Sequence, residues 1–305
     1  MLRFLIRRLI VAILVVGTVL TLVFVLTRLS GDLAISIAGP GATQLDIDTV
    51  RKAYGLDRPV LTQFFDWVGR AATGDLGESY FFKARVSTLI AERMPVTLSL
   101  GFTGLVIALI VSLPLGILAA VRENTGFDRA VQVVALLGQA MPSFWLGLLL
   151  MIVLGLQLGW LPISGTGSWE YYVMPGIVLA FSAIPALTRL TRAGMIQAMS
   201  SDYIRTARAK GLSRASILLK HALRNAAIPV VAIAAVQLGF MLGGSIVIEQ
   251  VFAMHGVGFL AWESISKNDF PVVQAVVLVL ATIFVVLTML ADLMNAMLDP
   301  RLRGA

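Results

Sequence analysis

Long apolar stretches alternate with short polar ones along most of the chain, and this alternation predicts a membrane protein. A helix crosses the hydrocarbon core of a bilayer with about 20 mostly apolar residues. Stretches near or above that length predict six transmembrane helices: Leu9–Leu29, Val96–Val121, Ala130–Leu158, Tyr172–Leu190, Ile228–Phe252 and Val272–Leu298. The first follows a charged N-terminus, as in a signal peptide, but it is long and no small-residue cleavage site follows it, so we expect a retained helix. The pattern indicates an all-α integral membrane protein with about six crossings.

These stretches divide the chain into three parts. We expect residues 1–29 to form an N-terminal transmembrane helix, residues 30–95 an extracytoplasmic cap segment, and residues 96–303 the main transmembrane domain, with a cytoplasmic loop at residues 191–228. Lysine and arginine in short loops mark the cytoplasmic side. By that rule the inside holds Arg3, Arg7 and Arg8, the loop Arg122–Arg129, the 191–228 loop, Arg301 and Arg303. Both termini are then cytoplasmic, and topology accounts for the net charge of +7.

The cap segment has the pattern of two short helices followed by a turn. Asp46 or Asp48 can begin the first helix, which runs through Tyr54. Asp57 followed by Pro59 can begin the second, and glycines at residues 74–77 predict the turn. The aromatic residues of the second helix either receive an external partner or pack on the membrane domain, and we favour packing for Phe64 and Trp67.

A basic stretch of residues 201–229 separates two apolar segments and has the pattern of a helix, a glycine turn and a second helix. Ser201 and Asp202 can begin the first helix, and Gly211 can end it. Ser213 can begin the second helix, and Pro229 fits the first turn of the helix that follows.

The first of these helices is amphipathic. Tyr203, Ile204 and Ala207 share one face, and the rest of the circumference carries Arg205, Arg208 and Lys210. Such a helix either meets a soluble partner or only fixes topology and contacts lipid headgroups, because a basic amphipathic pattern does not identify its partner.

Composition leaves little room for catalysis. The 305 residues are 58% hydrophobic and 13% charged, and none is cysteine. His221 and His255 lie on opposite sides of the membrane in the predicted topology and cannot share a metal. The chain has no GxSxG, HExxH or phosphate-binding GK[ST] motif, so an energised transporter of this design needs its ATPase in another chain. Glu249 and Asp292 are the notable acids near the ends of apolar segments, and we interpret them as structural or mouth-lining.

Longer motifs run along almost the whole chain. They are GLDRPVLTQFFDW at 55–67, GDLGES at 74–79, MPVTLSL at 94–100, MPSFWLG at 141–147, IEQVF at 248–252, DFPVVQ at 269–274 and LDPRLR at 298–303. With DYIRTARAKGLS and HALRNAAIP in the basic stretch, they resemble the dipeptide/oligopeptide ABC transporter permease family, and in particular its first permease subunit. Arg205 replaces a glutamate of the broader importer signature, as is common in the peptide branch. Arg85 and Met254–His255 also depart from the family pattern, on the predicted external face.

The resemblance implies a fold and a coupling site. The fold would be that of a type I ABC importer (MetI-like) permease, with a cytoplasmic coupling helix that inserts into a groove on an ATP-hydrolysing subunit. Tyr203, Ile204 and Ala207 would be its anchors, and Arg205 and Arg208 its charged rim. The ATPase-coupling loop would comprise Asp202, Tyr203, Ile204, Arg205, Thr206, Ala207, Arg208, Ala209, Lys210 and Gly211.

The same resemblance implies the partners. They are a second homologous permease, two ATPase subunits or domains and an extracytoplasmic solute-binding protein, in the bacterial cytoplasmic (inner) membrane and without nucleic acid. The chain itself would be non-catalytic and hold no cofactor, since ATP and Mg would be bound by the ATPase subunits. Short peptides are the expected substrate, with nickel chelates, glutathione and opines as alternatives. A stand-alone secondary transporter is the alternative of another class, but the sequence lacks the inverted repeats and mid-membrane acids which that class needs.

Overall fold

The structure is a computed structural model that describes residues 2–29, 31–39 and 41–298. Arg301, Arg303 and most of the LDPRLR motif therefore lie outside the described residues. The described chain is almost entirely helical. In chain order the helices are α1 Leu2–Leu29, α2 Leu33–Ala38, α3 Gln44–Ala53, α4 Val60–Ala72, α5 Val86–Val121, α6 Gly126–Ala140, α7 Ser143–Leu150, α8 Val173–Met199, α9 Asp202–Ala209, α10 Arg214–Ser216, α11 Leu223–Val251, α12 Val257–Ser266 and α13 Phe270–Leu298. Two π-helical turns, Met151–Gln157 and Ile217–Ala222, extend α7 and precede α11, and a 3₁₀ turn at Trp169–Tyr172 precedes α8.

Five helical segments are long and apolar enough to cross a membrane, and a bent pair of helices, α6 and α7, gives a sixth if the pair forms one crossing. The bend lies where α6 meets α7, at an angle of 99°. Pro142 lacks a backbone N–H and disfavours a helical conformation at Met141, which is extended with φ −80° and ψ 130°. The predicted continuous helix Ala130–Leu158 is therefore interrupted at Met141 and Pro142. The other five predicted crossings correspond to α1, α5, α8, α11 and α13.

The core of the bundle is the packing of α5 along α8, with α11 against both helices and α13 against α11 and α1. Small residues allow α5 and α8 to approach closely. A β-carbon added to Gly116 of α5 would stand 2.6 Å from the β-carbon of Thr191 and 2.9 Å from the carbonyl oxygen of Thr188. The α5–α8 contact therefore depends on glycine at this position.

The bundle has two distinct ends. At the end that carries α9, the ends of α5 and α8 and the start of α11 share an apolar cluster that includes Ala120, Met195 and Ala226. At the opposite end, which carries α2 to α4 and which we term the cap end, α5, α12 and α13 share a second cluster around Val86 and Leu260. α5 joins the two ends, since Val86 near its start lies in the second cluster and Ala120 near its end lies in the first.

The cap helices form close to their predicted positions. α3 begins one residue after Thr43, whose hydroxyl accepts from the Asp46 amide at 3.3 Å while the Thr43 amide donates to the Asp46 carboxylate at 2.9 Å. Hydrogen bonds from the Thr43 hydroxyl and amide hold the pKa of Asp46 below its usual value. The cap residue is thus Thr43, and Asp46 completes the capping box from inside the helix.

Two aromatic residues of α4 attach the cap to the first crossing helix. The ring of Phe64 lies edge-on to that of Phe24 in α1 with centroids 5.2 Å apart, and Trp67 stacks on the same ring at 6.1 Å. Phe24 is 3% exposed. The interpretation that these aromatics pack on the membrane domain is confirmed.

The position predicted for Pro229 is wrong. It lies inside α11, because α10, the π-helical turn and α11 form one continuous segment, Arg214–Val251, with no new helix start at residue 229. A proline inside a membrane helix is tolerated where neighbouring groups compensate the freed carbonyl. Ser213 does begin this segment, as predicted, and its hydroxyl accepts from the Ser216 amide at 3.3 Å.

Candidate functional site

Helix α9 is the amphipathic helix that the sequence predicts, and it lies at one end of the bundle as a separate short element. Ser201 precedes it in an extended conformation, although its hydroxyl donates back to the Ala198 carbonyl and does not cap the helix. Asp202 lies in the first turn, where its charge complements the helix dipole, and Arg208 lies in the last turn. Thus an eight-residue helix projects polar groups from the end of the bundle.

Gly211 ends α9 in the way the sequence predicts. Its φ is +71°, in the left-handed region. The Gly211 amide donates to the Arg208 carbonyl at 3.0 Å and the Leu212 amide to the Ala207 carbonyl at 3.3 Å. These two bonds form a Schellman motif, which reverses the chain into the turn before Ser213.

One face of α9 is buried against this chain and the other is exposed, which corrects the predicted set of anchor residues. Ile204 is fully buried and Ala207 is 6% exposed, both in the apolar cluster of this chain. A side chain that is already buried against its own chain is not available to a partner's groove, so the anchor assignment of Ile204 and Ala207 was wrong. Tyr203 is 42% exposed and remains on the outer surface. The exposed face carries Asp202, Tyr203, Arg205, Thr206, Arg208, Ala209, Lys210 and Gly211.

The buried side of α9 connects it to three crossing helices. Its cluster includes Ala120 of α5, Met195 and Ala198 of α8, and Ala226 of α11. Protein interiors are close-packed, so this shared cluster holds α9 against the end of the bundle.

A buried ion pair close to this end joins α6 to α8. Arg192 contacts Asp128 in a bidentate arrangement, with Nε to Oδ1 and Nη2 to Oδ2 both at 2.6 Å. The Asp128 side chain is 3% exposed and that of Arg192 is 20% exposed. The carboxylate also accepts from the Asn124 amide at 3.0 Å and from Gln132 Nε2 at 3.1 Å. Sequence reasoning missed this pair, because Asp128 and Arg192 lie in two polar loops that each carry several other charged residues.

Glu249 forms the centre of a second buried network. It is fully buried, and its Oε1 accepts from Thr97 at 2.8 Å and from Ser245 at 2.9 Å. Its Oε2 accepts from the Phe259 amide at 2.8 Å. The predicted mouth-lining alternative is therefore wrong for Glu249 and the structural one is confirmed, because α12 folds back over the end of α11 and covers the carboxylate.

Asp292, the other acid noted in the sequence, is partly exposed and forms an ion pair. Arg8 Nη1 of α1 lies 2.7 Å from its Oδ2. Among the residues whose side chains the structure describes, no group of three His, Asp or Glu residues forms a possible metal site.

The family motifs meet in pairs at the cap end. Ser79 of the GDLGES motif donates to the carboxylate of Asp269 in the DFPVVQ motif. The amides of Tyr80 and Phe81 donate to the same carboxylate at 3.2 and 3.3 Å. Thr97 and Glu249, described above, likewise join the MPVTLSL and IEQVF motifs. The motifs thus supply polar contacts between segments that are distant in sequence.

Polar side chains also line a cavity of about 400 Å³ among α6, α7, α8 and α11. They are Gln139, Ser143, Ser182 and Gln237, and the remaining lining residues include Val178, Met241 and Ile248. Polar groups in lipid-exposed positions are costly, so this wall is suited to a path or a protein partner. Sequence reasoning identified no path-lining residues, because isolated glutamine and serine residues in apolar segments carry no periodic signal.

Comparisons with known proteins agree with this architecture. Residues 112–304 match the family model described as "Binding-protein-dependent transport system inner membrane component", and residues 1–101 match that of its N-terminal region. The chain is 41% identical over 304 residues to the glutathione transport system permease protein GsiC of Escherichia coli strain K12 and to that of Shigella boydii serotype 4, covering 99% of each chain. A solved structure of the MetNI methionine ABC transporter in an inward-facing conformation matches with a TM-score of 0.52 at 20% identity, over 71% of this chain and 95% of that one. The likeness to MetNI concerns the fold alone.

Proposed function

Because the chain belongs to the family of binding-protein-dependent transport system inner membrane components, and is thus a multi-pass permease subunit of an ABC importer, we propose that it imports glutathione. The sequence alone favours short peptides as the substrate. The relatives with 41% identity over 99% of both chains are glutathione permeases, which favours that alternative. Glutathione is itself a tripeptide, so both substrates belong to one chemical class.

We propose that α9 couples the permease to an ATPase subunit. One observation above all supports this role: Ile204 and Ala207 hold α9 on the bundle, while its opposite face is polar, charged and exposed. A groove on the ATPase would receive Tyr203 at the centre of that face, with Arg205 and Arg208 at the rim. Movement of α9 would pass to α5, α8 and α11 through the shared cluster, and nucleotide binding would bias the equilibrium between inward and outward states.

The polar wall formed by Gln139, Ser143, Ser182 and Gln237 is proposed to line this chain's half of the path. Amide and hydroxyl groups can hydrogen-bond a peptide backbone without holding a fixed charge, which suits weak binding during passage. A second, homologous permease would supply the facing half. The complete assembly would then contain two permeases, two ATPase subunits or domains and an external solute-binding protein.

The proposed domain arrangement follows from the same assembly. Residues 30–95 would form the extracytoplasmic cap, and residues 96–303 the permease domain with its coupling loop at 191–228. α9 would face the cytoplasm with both termini, which agrees with the distribution of lysine and arginine.

Co-purification and uptake test this function. The tagged chain, extracted gently from its native membrane, is expected to bring ATPase subunits and a second permease, and the complex is expected to hydrolyse ATP. In vesicles with the binding protein, labelled glutathione should accumulate in an ATP-dependent manner, and excess unlabelled tri-alanine should compete weakly. A solitary protein that ignores ATP would refute the importer assembly; ATP-driven accumulation of tri-alanine without glutathione uptake would refute the substrate alone.

A further inference from the structure

A second cavity, of about 860 Å³, lies at the cap end, away from the proposed path. Its walls come from the end of α1, from α3 and α4, from the turn after α4, and from the start of α13. None of its lining residues is shared with the cavity around Gln139 and Gln237. Its volume falls within the usual range of small-molecule sites, about 300–1,000 Å³.

Three basic residues of the cavity wall have no carboxylate partner. In the described part of the chain, the salt bridges within 4.0 Å include none from Arg28, Lys52 or Arg70. Arg58, on the same wall, is already paired with Asp66. A ligand with negative charge would satisfy cations that the chain leaves unpaired.

Arg28 is the most constrained of the three. Its guanidinium lies over the Phe24 ring, 5.0 Å from the centroid, and its buried Nε has no hydrogen-bond partner. Burying a polar group without a partner is unfavourable, so a hydrogen-bond acceptor beside Arg28 would be stabilising. The terminal nitrogens of a guanidinium present a fork that matches a carboxylate.

Tyr80 lines the same cavity as Arg28 and Arg70. Burial raises the pKa of Tyr80 to about 12, so its phenol is a hydroxyl donor at neutral pH. The Tyr80 ring is fixed edge-on against Tyr54, with centroids 5.4 Å apart.

Acceptor groups occupy the same cavity wall. Gln63 is 9% exposed; its Nε2 donates to the carbonyls of Leu56 and Arg58 at 3.2 and 2.7 Å, and its Oε1 has no partner. The two donated bonds fix the orientation of the amide, so the free acceptor is not an arbitrary choice of rotamer. Four acidic residues also line the cavity: Asp57, Asp75 and Glu78, and Asp66, which is paired with Arg58.

We propose that the cap cavity binds a small zwitterionic solute with a free carboxylate, such as a short peptide. The carboxylate would lie near Arg28, Arg70 and Tyr80, and the ammonium group near Gln63 and the acidic residues. The site is separate from the membrane path, and its role as a holding site for the transported solute rests on the proposed function.

Binding to the full-length permease in lipid nanodiscs, without ATPase or binding protein, tests this site. The probes are tri-alanine and its C-terminal amide, titrated by calorimetry. We expect tri-alanine to bind and the amide to bind at least about tenfold more weakly, since it lacks the charged acceptor. Arg70→Gln and Arg28→Gln should each weaken tri-alanine binding by about tenfold and remove the preference over the amide. Arg70 is exposed, so its variant remains informative if loss of the Arg28–Phe24 contact disturbs folding.

Arg51→Gln is the matched control, because Arg51 lies on α3, pairs with Asp32 and Asp48, and does not line the cavity. Absence of binding, equal binding of the amide, or an equal loss in Arg51→Gln would overturn the proposal. So would binding that Gln237→Ala abolishes and Arg70→Gln does not, since the solute would then lie in the path. Glutathione uptake without cap binding would refute this site and leave the proposed function intact. Cap binding without uptake would refute the proposed function and leave the cap site intact.

Discussion

Substitution of Gly211 tests the turn that ends α9 without disturbing any other contact. A β-carbon at this position would meet no atom within 4 Å, so the effect of a side chain is confined to the backbone at φ +71°. The left-handed conformation costs an L-residue about 1–2 kcal/mol, and more for a β-branched one. Each of the two hydrogen bonds of the Schellman motif contributes about 0.5–1.5 kcal/mol, so the strain is comparable with the bonds that hold the turn. A strain of about 2 kcal/mol changes the population of the closed turn by roughly thirtyfold.

We therefore expect Gly211→Val to open the turn, and Gly211→Asn to keep it, because asparagine tolerates the left-handed region. Both variants should insert in the membrane at the wild-type level, since Gly211 is exposed and lies outside the crossing helices. Trypsin should cleave Gly211→Val faster after Arg208 or Lys210. In the assembled complex, ATP-driven uptake should fall at least tenfold for Val and less than threefold for Asn. Wild-type uptake and wild-type trypsin resistance in Gly211→Val would refute the reasoning.

Three further substitutions test the exposed face of α9, the buried ion pair and the contact between α5 and α8. Arg208→Glu should leave the thermal stability of the permease unchanged but reduce recovery of ATPase subunits in a pull-down, and unchanged recovery would contradict its rim role. Asp128→Asn leaves the Arg192 guanidinium without its carboxylate; breaking a buried ion pair costs about 3–5 kcal/mol, so the melting temperature should drop, and adding Arg192→Gln should recover part of the loss. Gly116→Val places side-chain atoms 2.6 Å or less from α8 and should lower the free energy of unfolding by about 1–3 kcal/mol through overpacking. Its control is Gly243→Ala, which has open space around it and should leave the melting temperature equal or higher.

The features that could be predicted from the sequence are those that depend on neighbouring residues along the chain. α9 and its end at Gly211 follow from local capping chemistry and the need for a left-handed residue. The start of the next helix at Ser213 follows from the same chemistry. The apolar face of α4 that carries Phe64 and Trp67 was predictable because apolar residues at helical spacing form one face, whereas its contact with Phe24 comes from the structure.

Predictions failed where a distant segment determines the environment. Glu249 lies near the end of a crossing, which suggests access to water, yet α12 returns over it and supplies the Phe259 amide. Ile204 has the pattern of an anchor for a partner, and only the arrangement of α5, α8 and α11 shows that its own chain already buries it. A helical pattern identifies an apolar face but not which molecule covers that face.

By itself, the sequence determined the class of protein, the approximate positions of the crossings, the amphipathic helix α9 and the family, because apolar length, capping and motif identity are properties of consecutive residues. Only the tertiary structure decided which groups meet: Asp128 with Arg192, Ser79 with Asp269, and Thr97 with Glu249. These pairs lie up to 190 residues apart in sequence. Such contacts depend on how helices cross and approach, and helix packing allows several crossing geometries for the same apolar pattern.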